Sequence, residues 1–244
     1  MNERLSIMSD KGSRTAIFSF IDVKYDADIL PYETQKQLLS KAFMSDSIFK
    51  TGELLETMEK RALYPMIHCR SISKKEIEDV QLLKLNSLGE EFVLRQGIYV
   101  ESKSHQSTKR LAEAKYKDDI AYIFMGFKSV DPTYSETLEK SWKDWTGARL
   151  VNSCLRKEFY ISRYSFFHRI TPADPELFMY ILLIECHNVN SANKTYLLDF
   201  VQKLRVERVF GYLTVYRIET LTSTSAIIKG LLSEHDEFVS KVDI

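Results

Sequence analysis

The chain's 244 residues are 44% hydrophobic, enough to bury a sizeable core, and the length suits two small, closely packed units. Lysine plus arginine equals aspartate plus glutamate at 34 each, so a net charge of zero removes any global electrostatic case for nucleic acid or an anionic membrane as partner. Three cysteines (Cys69, Cys154, Cys186), with no CxxC spacing, fit reduced thiols better than a disulfide framework.

The first residues, MNERLSIMSDKGSR, are charged and lack the apolar core of a signal peptide. No later run approaches the roughly 18 to 20 apolar residues of a membrane span, so a soluble, cytoplasmic protein is expected. Thr15 to Tyr25 is rich in β-branched and aromatic residues and predicts a strand. Pro31 to Phe43 carries Leu38, Leu39, Ala42 and Phe43 at helical spacing and predicts an amphipathic helix. Ser47 to Met58 and Leu63 to Ile72 predict two strands, the second weakened by Pro65. Ser73 with Glu76 has the form of a capping box, opening a helix with Ile77, Val80, Leu83 and Leu88 in one stripe and Gly89 as its C-terminal cap. Glu91 to Ser102 predicts a fourth strand, and Gln106 to Lys117 a charged helix.

From Asp119 to Glu219 the same order recurs: strand, helix, strand, strand, helix, strand, followed by a helix-like tail at Thr224 to Val239. Two βαββαβ units are therefore expected, 1–118 and 119–244, repeating in pattern more than in residue identity. Such a unit forms a four-stranded antiparallel sheet with its helices on one face, and the other face must find cover. In LFMYILLIECH both alternating residue sets are largely apolar, so both faces are buried. The two sheets should pack face to face or curl into an α+β barrel able to hold a ligand.

The candidate site follows from which side chains share the inner faces. Asp22 accompanies Phe18 and Phe20, and Lys128 accompanies Tyr122, Phe124 and Gly126. Glu185 and His187 lie two apart on one face, while Tyr160, Tyr164 and His168 alternate along their strand. A carboxylate, an imidazole and phenols converging on an apolar cavity could perform acid-base chemistry, with Glu185 and His187 as a proton relay and Tyr160 or Tyr164 as donor. The structural alternative is that these are strand ends reaching water. His68 and Trp142 join the candidate substrate wall; a tryptophan spaced as Trp142 and Trp145 are also fits core packing. Five scattered histidines show no metal-ligand spacing, and no Walker, GxGxxG or GxSxG pattern is present, so neither metal nor other cofactor is expected.

The doubled βαββαβ order resembles the dimeric α+β barrel superfamily in its fused, two-repeat form. The second unit is similar to EthD-like proteins through the helix ETLEKSWKDWTGARLV and the segment Ser162 to Tyr164, SRY. That resemblance implies a histidine on the first helix, where this chain has TGAR at Thr146 to Arg149, so the family's chemistry cannot pass through that residue. Chlorite dismutase-like haem proteins also use two such repeats and would imply a helix-borne histidine. The resulting expectation is a cofactor-independent enzyme of cyclase or isomerase type, acting on an apolar small molecule such as a polyketide or terpenoid intermediate, with a homodimer as the candidate assembly. Alternatives are a non-catalytic binding or interaction protein, or a haem-binding chlorite dismutase-like protein.

Overall fold

Alternating apolar patterns on every strand need cover on both sides, and the chain meets that need by closing its sheet. The structure, a computed structural model, describes residues 14–23, 32–45, 49, 51–60, 62–73, 75–90, 92–107, 119–129, 131, 133–207 and 211–218. The first unit contains β1 (Thr15–Val23), α1 (Tyr32–Ser45), β2 (Glu53–Thr57), β3 (Met66–Ile72), α2 (Glu76–Asp79) and β4 (Phe92–Gln106). The second contains β5 (Ala121–Phe127), α3 (Glu136–Lys140), α4 (Trp142–Trp145), α5 (Ala148–Cys154), β6 (Tyr160–Thr171), β7 (Tyr180–His187), α6 (Lys194–Glu207) and β8 (Tyr212–Ile218). The expected tail helices, and the end of the second unit, lie outside the described residues apart from Gln106, which ends β4.

Each unit orders its strands as a ferredoxin-like sheet, β4-β1-β3-β2 and β8-β5-β7-β6, and the two join into one closed antiparallel barrel. Both seams pair the second strand of one unit with the last strand of the other: β2 with β8, and β6 with β4. Closure leaves no sheet edge exposed. A buried glutamate marks each seam. Glu56 of β2 bonds Arg217 of β8 at 3.0 Å, and Glu101 of β4 bonds Arg163 of β6 at 2.8 Å.

The inner face is packed with rings: Phe18, Phe20, Tyr64, Tyr99, Phe124, Phe167, Phe178 and Tyr216. Phe20 meets Phe178 edge-on at 5.3 Å, and Phe18 meets Tyr99 likewise at 5.3 Å. The phenols are satisfied inside this fill, with Tyr99 donating to the Phe178 carbonyl (2.8 Å) and Tyr216 to the Tyr64 carbonyl (2.7 Å). Gly126 is bare because the Phe178 ring lies against it; a Cβ there would sit 2.7 Å from ring carbons. The centre is thus a core: among the described residues these rings take the volume where an apolar ligand cavity was expected.

Helices cover the outside. Leu39, Ala42 and Phe43 of α1 pack on Ile21, Met66 and Leu94, while α4, α5 and α6 bury Trp142, Val151, Leu197 and Val201 against the second sheet. Two helix expectations are corrected. The stretch from Ser73 to Gly89 keeps its capping box, with Glu76 Oε2 accepting from the Ser73 amide at 2.6 Å, but α2 is a single turn. Beyond it the chain runs extended because β4 offers better partners: Gln96 Oε1 accepts from the Leu83 amide (2.8 Å), and the Leu85 carbonyl from the Leu94 amide (2.8 Å). The helix expected after β5 breaks at Ser141 and again at Gly147, whose φ of +84° suits glycine. Among the described residues no helix is long and apolar enough to cross a membrane.

Candidate functional site: a polar cup at one mouth of the barrel

Strand alternation sends Glu53 and Leu55, Cys69 and Ser71, Tyr122 and Phe124, and Leu183 and Glu185 to the inside. The aromatic fill stops below Tyr122 and Leu183. Above it opens a cup of about 560 Å³ with Leu55, Cys69, Tyr122 and Leu183 towards the apolar core and Arg14, Arg70, Arg163, Glu53 and Glu185 among its polar lining.

On β6 the alternation is interrupted. Tyr160 pairs with His187 and Ile161 with Cys186, but Arg163 then pairs with Glu185, so Ser162 is an extra, bulged residue. Because side chains alternate with period two, one extra residue exchanges the faces of everything beyond it. Arg163, Ser165 and Phe167 therefore turn inward, and Tyr164, Phe166 and His168 turn towards the helices.

The bulge also supplies a ligand to the carboxylate opposite. Glu185 Oε1 accepts from Ser162 Oγ at 2.5 Å and from His187 Nε2 at 2.7 Å. His187 is buried, and its Nδ1 has no hydrogen-bond partner among the described residues. Because a carboxylate oxygen accepts, Nε2 is the donor of this pair. The Tyr160 ring lies 6.0 Å from the imidazole. Tyr122 faces the same carboxylate. Burial, and then the negative charges of Glu185 and Glu53, raise its phenol pKa far above the ordinary value, so it stays a proton donor. Cys69 is pushed up to about 12 by burial, against the opposing pull of Arg14, and is no thiolate at neutral pH.

Basic groups stand beside this carboxylate, Arg163 being the cross-strand partner of Glu185. Arg163 Nη2 bonds both oxygens of Glu101 at 2.8 Å, and its Nε donates to Ser165 Oγ at 2.9 Å. Arg14 Nε lies 3.8 Å from Glu101 Oε2, and its guanidinium rests over the Phe167 ring at 5.2 Å.

Of the residues expected from sequence, Glu185, His187, Tyr160 and Tyr122 gather at this mouth, and Phe124 belongs to the fill beneath it. Tyr164 does not: it sits among the helix-facing residues, with its hydroxyl donating to Asn152 Oδ1 at 3.4 Å, because the bulge reverses its face. His168 turns the same way, 4.5 Å from the Tyr134 ring. His68 is also outside the barrel, since Cys69 takes the inward position; it is wedged by Phe49 at 5.1 Å, and its Nε2 bonds the Thr51 carbonyl at 2.7 Å. Trp142 stacks on Phe166 at 5.6 Å on the outer face. Asp22 and Lys128 lie at the other end of the barrel, where Lys128 pairs with Glu176 at 2.8 Å. The segment TGAR is a joint between α4 and α5, with Thr146 Oγ1 donating to the Trp142 carbonyl at 2.6 Å, so it too lies outside the barrel. Sequence reasoning missed Arg14, Glu101, Ser162 and Arg163. The face of Arg163 was hidden by the bulge, and Arg14 precedes the first strand.

The residues present do not fit haem. Among the described residues every histidine is on a strand, and the rings filling the barrel leave no slot for a porphyrin. Among those residues no group of three or more His, Cys, Asp or Glu is placed to hold a metal ion.

A family model described as Domain of unknown function (DUF7153) matches residues 49–218. No curated protein matches the chain. Among solved structures the chain is similar to an anthrone oxidase-like protein, with 7% identity, a TM-score of 0.50, and coverage of 86% of this chain and 93% of that one. It is also similar to a mutant chlorite dismutase from Candidatus Nitrospira defluvii in complex with cyanide, with 13% identity, a TM-score of 0.40, and coverage of 85% and 91%. At such identities the likeness is one of fold.

Proposed function

The chain belongs to the family described as Domain of unknown function (DUF7153), and from the chemistry of its cup we propose a cofactor-independent enzyme that moves a proton on a small, enolisable molecule, as an isomerase or cyclase does. The observation that carries this reading is the opposition, in one cup, of a carboxylate held by Ser162 and His187 and a phenol kept protonated by burial. A carboxylate base beside a phenol that stays a proton donor is what proton abstraction next to a carbonyl requires.

In the proposed step Glu185 takes a proton from the carbon beside a substrate carbonyl. The C–H electron pair moves into a new C=C bond, and the carbonyl oxygen gains the charge. Tyr122 donates a hydrogen bond to that oxygen, and Glu185 returns the proton to a different carbon, giving the isomer or setting up ring closure. His187 holds the carboxylate in place, and Tyr160 closes the site beside it. The filled barrel limits the substrate to the cup, so its apolar part is small and rests on Leu55 and Leu183. The EthD-like resemblance implies a helix-borne histidine, and since TGAR carries none and lies outside the barrel, no step is routed through that helix.

The test is solvent exchange. The full chain in D2O, offered a panel of enolisable ketones, should incorporate deuterium into at least one of them, and Glu185→Gln, which keeps the shape but not the base, should lower that rate by about 10²-fold or more. Equal exchange by E185Q would sink the assignment. A ketone that raises the melting temperature with no exchange would favour a non-catalytic binding protein, the reading supported by the tight aromatic fill.

A further inference from the structure

The arginines of the cup carry more donor capacity than the chain uses. Among the described residues the side-chain Nε of Arg14 and of Arg70 is buried without a hydrogen-bond partner. Arg163 commits Nε and Nη2 to Ser165 and Glu101, and its Nη1 has no hydrogen bond among the described residues. A guanidinium has five N–H donors and cannot be deprotonated, so three of them around one cavity call for an acceptor.

The acidic groups do not meet that demand. Glu101 is shared by Arg163 and Arg14. Glu185 is the cross-strand neighbour of Arg163, but its Oε1 is taken by Ser162 and His187. Glu53 and Glu76 are at the exposed rim, where water and salt screen them, and Glu76 is occupied with the Ser73 amide. Arg70, by its place in β3, starts on the outer face and lines the cup beside Thr51 and Gly52. Under the guanidiniums lie Leu55, Leu183 and the Tyr122 ring. The lining thus sets guanidiniums and carboxylates above an apolar floor.

We propose that the cup binds a small organic acid, with its carboxylate held by Arg14, Arg70 and Arg163 and its apolar body resting on Leu55, Leu183 and Tyr122. This rests on the proton-transfer reading, which it deepens by naming the substrate class. Planar carboxylates suit bidentate guanidinium pairing, and the apolar floor favours an organic acid over a bare inorganic anion.

The probe is benzoate, titrated calorimetrically into the full chain, with benzamide and inorganic phosphate as comparisons. Benzoate should bind saturably, at least tenfold more tightly than either, and more weakly as salt rises. Arg14→Gln with Arg70→Gln should weaken it at least tenfold while leaving the melting temperature near wild type; the Nε of each is without a hydrogen-bond partner among the described residues, and Arg163 remains to pair Glu101. If that pair lowers the melting temperature, Arg70→Gln alone is the deciding variant, because Arg70 has no ion pair among the described residues. E185Q should still bind benzoate, which separates this claim from the base assignment. Equal affinity for benzoate and benzamide, tighter phosphate, no benzoate binding, or full affinity in R70Q would each overturn the proposal, even if ketone exchange persisted.

Discussion

Ser162 shows how much one residue can decide. Without it β6 would continue its alternation, and Tyr164 would stand beside Tyr160 facing the cavity; with it, Arg163 takes the inward place and its own hydroxyl binds Glu185. His68 is a second residue whose setting has a measurable consequence. Burial is the main cause holding its pKa below the ordinary histidine value, while the Thr51 carbonyl pulls modestly the other way. The unfolded chain therefore binds its proton at a higher pH than the folded one. The contribution of the neutral ring is complete above about pH 6.5 and is lost as pH falls from there through the lowered folded value. Denaturant midpoints should drop between pH 7.5 and 5.5, and His68→Phe should reduce that drop; an unchanged pH dependence would show that the ring is not the group responsible. His168, lowered in the same direction by burial, accounts for part of what remains.

At the scale of elements, most of the barrel was legible because its signals are periodic. Each strand announced itself by alternation and β-branched or aromatic content, and Glu185 with His187 by their two-residue spacing on a strand that reads cleanly from end to end. What could not be read depended on contacts distant in sequence. A helix from Ser73 to Gly89 is locally reasonable, yet the Gln96 side chain and β4 backbone capture its second half. The inward set of β6 required knowing a bulge that has no glycine to mark it. Trp142 illustrates the third case, since an apolar helix face says nothing about which side of the sheet it covers. It stacks on Phe166 and is buried, so Trp142→Ala should destabilise the fold by about 3–5 kcal/mol in denaturant titrations. A loss under 1 kcal/mol would mean that α4 does not pack as described.

At the scale of the whole molecule, two units of the same strand order make ends of unlike character. Both seams are built alike, each with a buried glutamate of the first unit and an arginine of the second. The interior between them is closed by rings, and the far mouth is plugged by Tyr64, Phe178 and Tyr212, which pack within 6.0 Å of one another. Only at the near mouth does the described barrel keep space, and there the lining changes from aromatic to charged. The proposed chemistry lies at that end, among Glu185, Tyr122 and the arginines, while the helix-facing side of the second sheet is packed. Solvent deuterium exchange in two single-atom variants tests that division most directly. Tyr122→Phe should lower the exchange rate at least tenfold, and Tyr164→Phe, which alters only the helix-facing side, should stay within twofold of the parent chain. A loss in Tyr164→Phe with full activity in Tyr122→Phe would contradict the account.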